Sequence, residues 1–303
     1  MNILVAILTQ GVRDDTFEQC LQSVIYQQVP QNSKLALLVV ENNPESLSKI
    51  KNVIKKNNDL NDINIYHSLE TVPGIPFARN NALNYAKNNG YSHLAFIDDD
   101  AFAQKNWLIE LSKDYDKFDV SGGPQNALFP NDTKSFYRLA KIYRERNLKD
   151  NASIKWAATN NILMSVATLE KLNLKFNESL IHGGEDKELF LRVSALGGKI
   201  HWRANAIVQE SIVESRLSIK WALRRTFRMG ATGYLIESCT RSTPEVLAIC
   251  IFKGSAYIVK GIVSLVPFTL SRHYSPLDSF CDITHGLGFF YGIYSKGKIK
   301  AYA

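Results

Sequence analysis

The sequence predicts an α/β fold: a mixed, mostly parallel sheet flanked by helices, followed by a helical C-terminal tail. Three observations carry this. Short apolar runs alternate with segments whose apolar residues recur at helical spacing. One run, His93-Leu94-Ala95-Phe96-Ile97, leads straight into Asp98-Asp99-Asp100, and open α/β sheets bind ligands at the C-terminal ends of their strands. The charge is also divided: residues 1–215 carry a net −1 and residues 216–303 a net +8. A 1–235 α/β domain and a 236–303 apolar, basic tail are therefore expected.

Met1–Leu8 is apolar, with no basic leader or small-residue cleavage site, and reads as the first strand rather than a signal peptide. Thr9-Gln10-Gly11 is a turn. Asp14-Asp15-Thr16 starts a helix whose apolar face is Phe17, Cys20, Leu21, Val24 and Ile25. Leu35–Val40 is a second apolar run, closed by Glu41-Asn42-Asn43-Pro44. Ser46–Asn57 reads as a polar-faced helix and Ile63–Tyr66 as a short strand. This β-α-β-α-β order predicts parallel strands joined by right-handed crossovers. Pro73-Gly74 makes a loop before a helix over 78–87, and the central strand follows.

Beyond it, Trp107, Leu108 and Leu111 mark a helix over 106–113, and 119–123 reads as a strand ending in a Gly-Gly turn. Periodicity weakens over 124–155, then 157–165 reads as a strand. Glu185-Asp186 opens a helix with Leu189, Phe190, Val193 and Leu196 on its apolar face, ended by Gly197-Gly198. Short strands are expected over 198–202 and 206–208. The tail begins with a basic helix carrying Arg224, Arg225 and Arg228. Val246–Leu270 is apolar except for Lys253, Lys260 and a few small residues, nominally enough to span a bilayer. The two lysines and Pro267 favour an interfacial helix, or a hairpin with snorkelling lysines; a buried dimer helix is the alternative. Lys296, Lys298 and Lys300 close the chain.

Composition narrows the function classes. With 303 residues and 45% hydrophobic content, the chain can bury one large core plus an appendage. Cys20, Cys239, Cys250 and Cys281 show no paired spacing and read as free thiols in a reducing compartment. The near-neutral body has no basic stripe with interleaved aromatics, so nucleic acid is not an expected partner. The basic tail suits an anionic membrane surface or a polyphosphate.

Three adjacent carboxylates repel one another unless a cation neutralises them. Oxygen-only ligands at a strand end suit a hard divalent ion that also holds phosphate oxygens; a solvated acidic turn is the alternative. Arg79 sits in a first helical turn, where the helix dipole does not favour a cation. It reads as placed to meet an anion, or as a surface arginine. In Ile181-His182-Gly183-Gly184-Glu185-Asp186 the glycines let the backbone approach a ligand. The acids serve as dipole partners or as a general base.

In this order the motifs resemble glycosyltransferase family 2, the inverting sugar-nucleotide enzymes with the GT-A fold. The resemblance covers residues 1 to about 230. It is carried by Thr9, the helix Leu21-Gln22-Ser23-Val24-Ile25-Tyr26-Gln27, Glu41-Asn42-Asn43, Pro73-Gly74 with Ala78-Arg79-Asn80, the D-x-D of Asp98–Asp100, and Glu185-Asp186. The segment from Glu214 through Arg225 to Gly230 is similar to a subgroup making bacterial exopolysaccharide and other surface glycans.

The resemblance implies a sugar-nucleotide pocket of Thr9, Glu41, Asn43, Arg79, Asp98 and Asp99, with Glu41 at the base, and a UDP-sugar as the commonest donor. It implies Mn2+ or Mg2+ on Asp100, Asp186 as the base that deprotonates an acceptor hydroxyl, and an acceptor held by Glu185, Gly184 and Trp156. Many members carry a histidine after the last core strand. Here Val208-Gln209-Glu210 stands there, with Glu214 further on, and Glu214 is the expected second oxygen ligand. The implied partners are a nucleotide-diphosphate sugar, a glycan or lipid-linked acceptor, the inner face of the cell membrane, and a second copy of the chain. Two other functions compete: a nucleotidyltransferase, for which Thr9-Gln10-Gly11-Val12-Arg13 is a poor Gly-rich basic loop, and a non-catalytic sugar-nucleotide-binding scaffold.

Overall fold

The computed structural model describes residues 1–11, 14–43, 45, 48–60, 63–144, 146, 148–181, 183–265 and 275–297. The expectations for Val12, Arg13, Pro44, Ser46, His182, Pro267, Lys298 and Lys300 lie outside the described residues. The strands are β1 (Asn2–Thr9), β2 (Lys34–Glu41), β3 (Asn64–Leu69), β4 (His93–Asp98), β5 (Ala101–Ala103), β6 (Val120–Gly122), β7 (Gln125–Leu128), β8 (Ser153–Ile154), β9 (Asn161–Ser165), β10 (Ile200–Trp202) and β11 (Val208–Ser211). The helices are α1 (Asp14–Ile25), α2 (Ser48–Leu60), α3 (Ile75–Asn88), α4 (Trp107–Leu111), α5 (Ser135–Arg138), α6 (Val166–Lys171), α7 (Glu185–Ala195), α8 (Ile219–Ser238), α9 (Thr243–Val263) and α10 (Pro276–Ser295).

The chain forms two compact units. The first comprises residues 1–126, 146–181 and 185–210. Its eight-stranded sheet has the order β3-β2-β1-β4-β9-β6-β10-β8. β3, β2, β1 and β4 are parallel, as the β-α-β-α-β pattern predicts. β9 runs antiparallel between β4 and β6, which makes the sheet mixed. A smaller sheet has the order β5-β11-β7.

Side chains alternate across β1, as a strand requires. Ile3, Val5 and Ile7 pack with Phe17, Leu21 and Val24 of α1 and with Trp107 and Leu108 of α4. Leu4 and Ala6 face the other layer, with Ala78, Ala82 and Ala86 of α3 and Leu189, Phe190 and Val193 of α7. The two helices bearing Arg79 and Glu185-Asp186 thus share one face of the sheet. α3 starts at Ile75 rather than 78, with Pro76 in its first turn and Gly74 before it at φ 135°; proline fits a first turn because its missing N–H would be unpaired there anyway. β9 starts at Asn161, not 157. Asn161 Nδ2 donates to Pro124 O and Ala206 O, both at 2.7 Å, and its Oδ1 accepts from Trp107 Nε1 at 2.8 Å, so the buried amide ties three segments together.

The second unit comprises residues 127–145, 182–184 and 211–303. The boundary expected after 235 falls inside α8, and the reason is packing. α8, α9 and α10 meet through glycines: a Cβ on Gly230 would lie 2.0 Å from His285 O, one on Gly288 2.2 Å from Phe227 O, and one on Gly286 2.5 Å from Gly254 O. Only residues without a Cβ allow backbones that close, the device used where helices pack in lipid.

Both lysines of α9 have acidic partners on neighbouring helices. Lys253 Nζ donates to Glu237, and Lys260 Nζ lies 2.8 Å from Asp282. With both lysines paired to neighbouring helices, the exposed side of α9 presents Ile251, Phe252, Val259, Ile262 and Val263. By length and composition α9 is the one helix among the described residues that could cross a membrane.

Candidate active site

The register of the parallel strands lines up their C-terminal ends: Thr9 stands opposite Glu41, and Leu8 opposite Asp98. Beyond β4, Asp99 and Asp100 form a buried turn. Thr9 Oγ1 donates to Asp99 Oδ2 at 2.7 Å and accepts from Gly11 N at 3.0 Å, so the end of β1 holds the turn. Cys20 Sγ donates to Asp98 O at 3.3 Å. Burial pushes the Asp98 carboxyl up to about 7; Asp100, Glu210 and Asp99 add to the rise and Arg79 opposes it.

Glu210 reaches this cluster because β11 pairs with β5, placing Glu210 opposite Ala101; Gln125 Nε2 donates to its Oε2 at 2.6 Å. Glu214, the residue expected as second metal ligand, lies exposed in the turn Glu214–Arg216 of the second unit. The missed signal was a strand pairing between segments about a hundred residues apart, which local pattern does not carry. Among the described residues no three acidic, histidine or cysteine side chains form a metal cage. Magnesium-type sites commonly use one or two carboxylates and complete the shell with substrate phosphates and water. The carboxylates crowded at Asp98 fit such a cation, whose charge would offset the burial and the neighbouring carboxylates that together raise Asp98.

Glu41 is wholly buried, its Oε2 2.9 Å from His67 Nε2 on β3. The half-buried residues after it, Asn42 and Asn43, shape the rim. Asn42 Nδ2 donates to Val72 O at 2.7 Å, its Oδ1 accepts from Gly74 N at 3.0 Å, and Asn43 Nδ2 donates to Gln10 O at 3.2 Å.

Each residue of Ala78-Arg79-Asn80 has a separate task. Ala78 packs in the core. Asn80 pins Phe176, donating to its carbonyl at 3.0 Å and accepting from its N–H at 2.9 Å. Arg79 Nη1 donates to Glu185 Oε1, and its guanidinium lies 5.7 Å from the Phe176 ring centroid. Arg79 and Glu185 are 7% and 3% exposed. Burial raises the Glu185 carboxyl, against the lowering effect of Arg79. Glu185 Oε2 is buried with no hydrogen-bond partner. Arg79 therefore links the β4 acids to the first turn of α7. Asp186 is half-buried, its Oδ1 accepting from Lys187 N at 2.6 Å. Trp156 is half-buried with Arg146 and Lys187 against its ring. Gly184, at φ 92° beside Ile236, belongs to the second unit.

The family model described as "Glycosyl transferase family 2" matches residues 5–172. The chain belongs to that family. The matched part of this glycosyltransferase holds Thr9, Arg79 and Asp98–Asp100, while Glu185, Asp186 and Glu210 lie beyond it. The glycosyltransferase is 27% identical over 217 residues to the succinoglycan biosynthesis protein ExoM of Rhizobium meliloti (strain 1021), covering 71% of this chain and 69% of ExoM. Among solved structures it is similar to the mannosyltransferase PcManGT of Pyrobaculum calidifontis in complex with GDP-Man and Mn2+. There the TM-score is 0.62 at 14% identity, covering 97% of this chain and 87% of that one. It is also similar to S. aureus TarS 1–349 in complex with UDP-GlcNAc, with a TM-score of 0.53 at 14% identity over 98% and 91% of the two chains. Against the longer TarS chain the match spans 40% of that protein. At these identities the structural likeness shows the fold.

Proposed function

We propose that this glycosyltransferase moves a sugar, with inversion, from a UDP-sugar to a hydroxyl of a glycan or lipid-linked acceptor. The process served is bacterial surface-polysaccharide biosynthesis at the cytoplasmic face of the cell membrane. The observation that carries this is the meeting, at one end of the sheet, of the β4 acids, Arg79 and the first turn of α7. The names of ExoM and of the nucleotide-sugar complexes of TarS and PcManGT support the process and the donor class.

Mn2+ or Mg2+, when bound, supplies positive charge against the departing nucleotide diphosphate. Asp100 would hold it, with Glu210 in place of the expected Glu214 as the second carboxylate. Thr9 keeps Asp99 in position for the donor, with Asn43 at the rim and the buried Arg79 near Asp98. Asp186 takes the proton from the acceptor hydroxyl, which is a weak nucleophile until it is deprotonated. One base facing the anomeric carbon gives a single displacement, so no second nucleophilic carboxylate is needed. Glu185 accepts an acceptor hydroxyl at Oε2, the oxygen left without a partner.

The direct test is nucleotide release from UDP- and GDP-sugars with an acceptor extract, with and without Mn2+, with the product anomer read by NMR. Metal-dependent UDP release and an inverted anomer are expected. Pyrophosphate release from a nucleoside triphosphate would instead mark a nucleotidyltransferase.

Membrane association belongs to the same proposal. It rests on the apolar side of α9 and the net +8 of residues 216–303. Anionic vesicles should sediment the full chain. Ile251→Asp with Phe252→Asp should weaken that binding by at least about 100-fold, because each buried side chain contributes about 1.5–3 kcal/mol. Unchanged sedimentation of the double variant would assign α9 another role.

A further inference from the structure

We propose that a groove on the outer side of α3 binds a stretch of uncharged glycan, apart from the residues that carry out transfer. The groove lies within the first unit, holds about 350 Å³, and is walled by α3, Glu70 after β3, and Glu178. The proposal uses neither Asp186 nor a metal.

The pattern of α3 prepares it. Ala78, Ala82 and Ala86 pack into the core, whereas Phe77, Asn81, Asn84, Tyr85 and Asn88 line the groove. Those five recur at the spacing of one helical face, and that face is amide and aromatic. Asparagine is a poor helix former beside alanine, yet α3 carries Asn80, Asn81, Asn84 and Asn88. Asn80 pins Phe176, and Asn81 Oδ1 accepts from Ser68 Oγ at 2.8 Å. Asn84 and Asn88 are exposed, and neither side chain bonds to another of the described residues. Their amides are open to a ligand.

Alternate residues of β3 meet the same helix. The Tyr66 and Tyr85 ring centroids lie 5.6 Å apart, and Ser68 bonds Asn81. Glu70 continues the alternation, its Oε2 3.4 Å from Asn81 Nδ2. Across the groove, Glu178 Oε1 accepts from Asn80 Nδ2 at 3.0 Å and from Lys175 Nζ at 2.9 Å, and Oε2 takes no part in these bonds.

This set of groups suits a sugar. A carboxamide both donates and accepts, so it meets a hydroxyl in either role, and a carboxylate accepts. The Phe77 and Tyr85 rings offer apolar faces to the C–H side of a pyranose. Among the described residues, two carboxylates and no lysine or arginine line the groove, which disfavours a phosphate or a uronate. From Phe77 to Asn88 the helix rises about 16 Å, room for several sugar rings. The Glu70 end adjoins the rim of the candidate site: Asn42 Nδ2 donates to Glu70 O at 3.1 Å, and Glu70 N donates to Glu41 O at 2.9 Å. A chain lying here is held beside that site without filling it.

The test is equilibrium binding to the full chain in EDTA. The probes are cellotetraose and mannotetraose, which are neutral, and tetragalacturonate, which is anionic. At least one neutral tetrasaccharide should bind, and more tightly than tetragalacturonate. Asn84→Ala with Asn88→Ala should raise its Kd about tenfold. Alanine favours the helix at these exposed positions, so the double variant should keep its thermal stability, and its UDP-sugar binding with Mn2+ should match the wild type. The proposal is overturned if neither neutral probe binds, if tetragalacturonate binds as tightly, or if the folded double variant keeps the wild-type Kd, which would place the sugar elsewhere. Absence of UDP-sugar binding in the wild type would defeat the transferase reading and leave the groove result standing by itself.

Discussion

Asp186→Asn is expected to abolish transfer and to leave donor binding intact. The substitution keeps shape and the hydrogen bond from Lys187 N but removes the proton acceptor. General-base catalysis contributes about 10²- to 10⁴-fold, so kcat should fall by that factor while the stabilisation of the protein by a UDP-sugar is unchanged. Glu185 is not expected to take over, because its Oε1 is held by Arg79 and its assigned part is to hold the acceptor. The comparison variant is Glu185→Gln, which should raise the acceptor KM more than it lowers kcat. Steady-state rates at saturating donor check both, and retained turnover in Asp186→Asn would remove Asp186 from the base role.

Arg79→Met should be among the most damaging single substitutions to stability. It leaves Glu185 charged and buried without its partner, a loss of about 3–5 kcal/mol for a broken buried pair. The pH dependence has a defined sign. Burial already raises the Glu185 carboxyl, and the Arg79 charge is the main influence holding it down. Without Arg79, Glu185 folds best protonated, so the variant's stability is present at acidic pH and lost as pH rises through the raised value. Denaturant unfolding at pH 5 and pH 8 should show the larger deficit at pH 8. Adding Glu185→Leu should recover most of it, because an apolar pair needs no compensation. An equal deficit at both pH values would mean that the pair is not the source.

The parts of the fold that local pattern encodes were legible. β1, β2 and β4 are unbroken apolar runs, and the acids at the end of β4 could be located to the residue. α3 was read three residues short because Pro73-Gly74 drew attention as a turn, while Pro76 was a helix-start signal in its own right. What was not legible is pairing at a distance. Arg79 and Glu185 are 106 residues apart and meet only because α3 and α7 lie on one face of the sheet. Glu210 enters the site through the antiparallel pairing of β11 with β5, whereas sequence position alone pointed to Glu214. Lys253 looked like a charge in an apolar helix. Its partner Glu237 sits on α8, and the glycine contacts that bring these helices together have no periodic signature.

The most direct measurement of the central claim is thermal stability of the full chain with UDP and UDP-sugars, each with and without Mn2+, in the wild type and in Asp100→Ala. A ligand at a hundred times its dissociation constant adds about 2.7 kcal/mol to the folded state, a readily measured shift. The account predicts stabilisation by a uridine diphosphate only when metal is present, and its loss in Asp100→Ala. Stabilisation that ignores both metal and Asp100, or none with any diphosphate nucleotide, would contradict the assignment of the β4 acids to a metal-bridged donor.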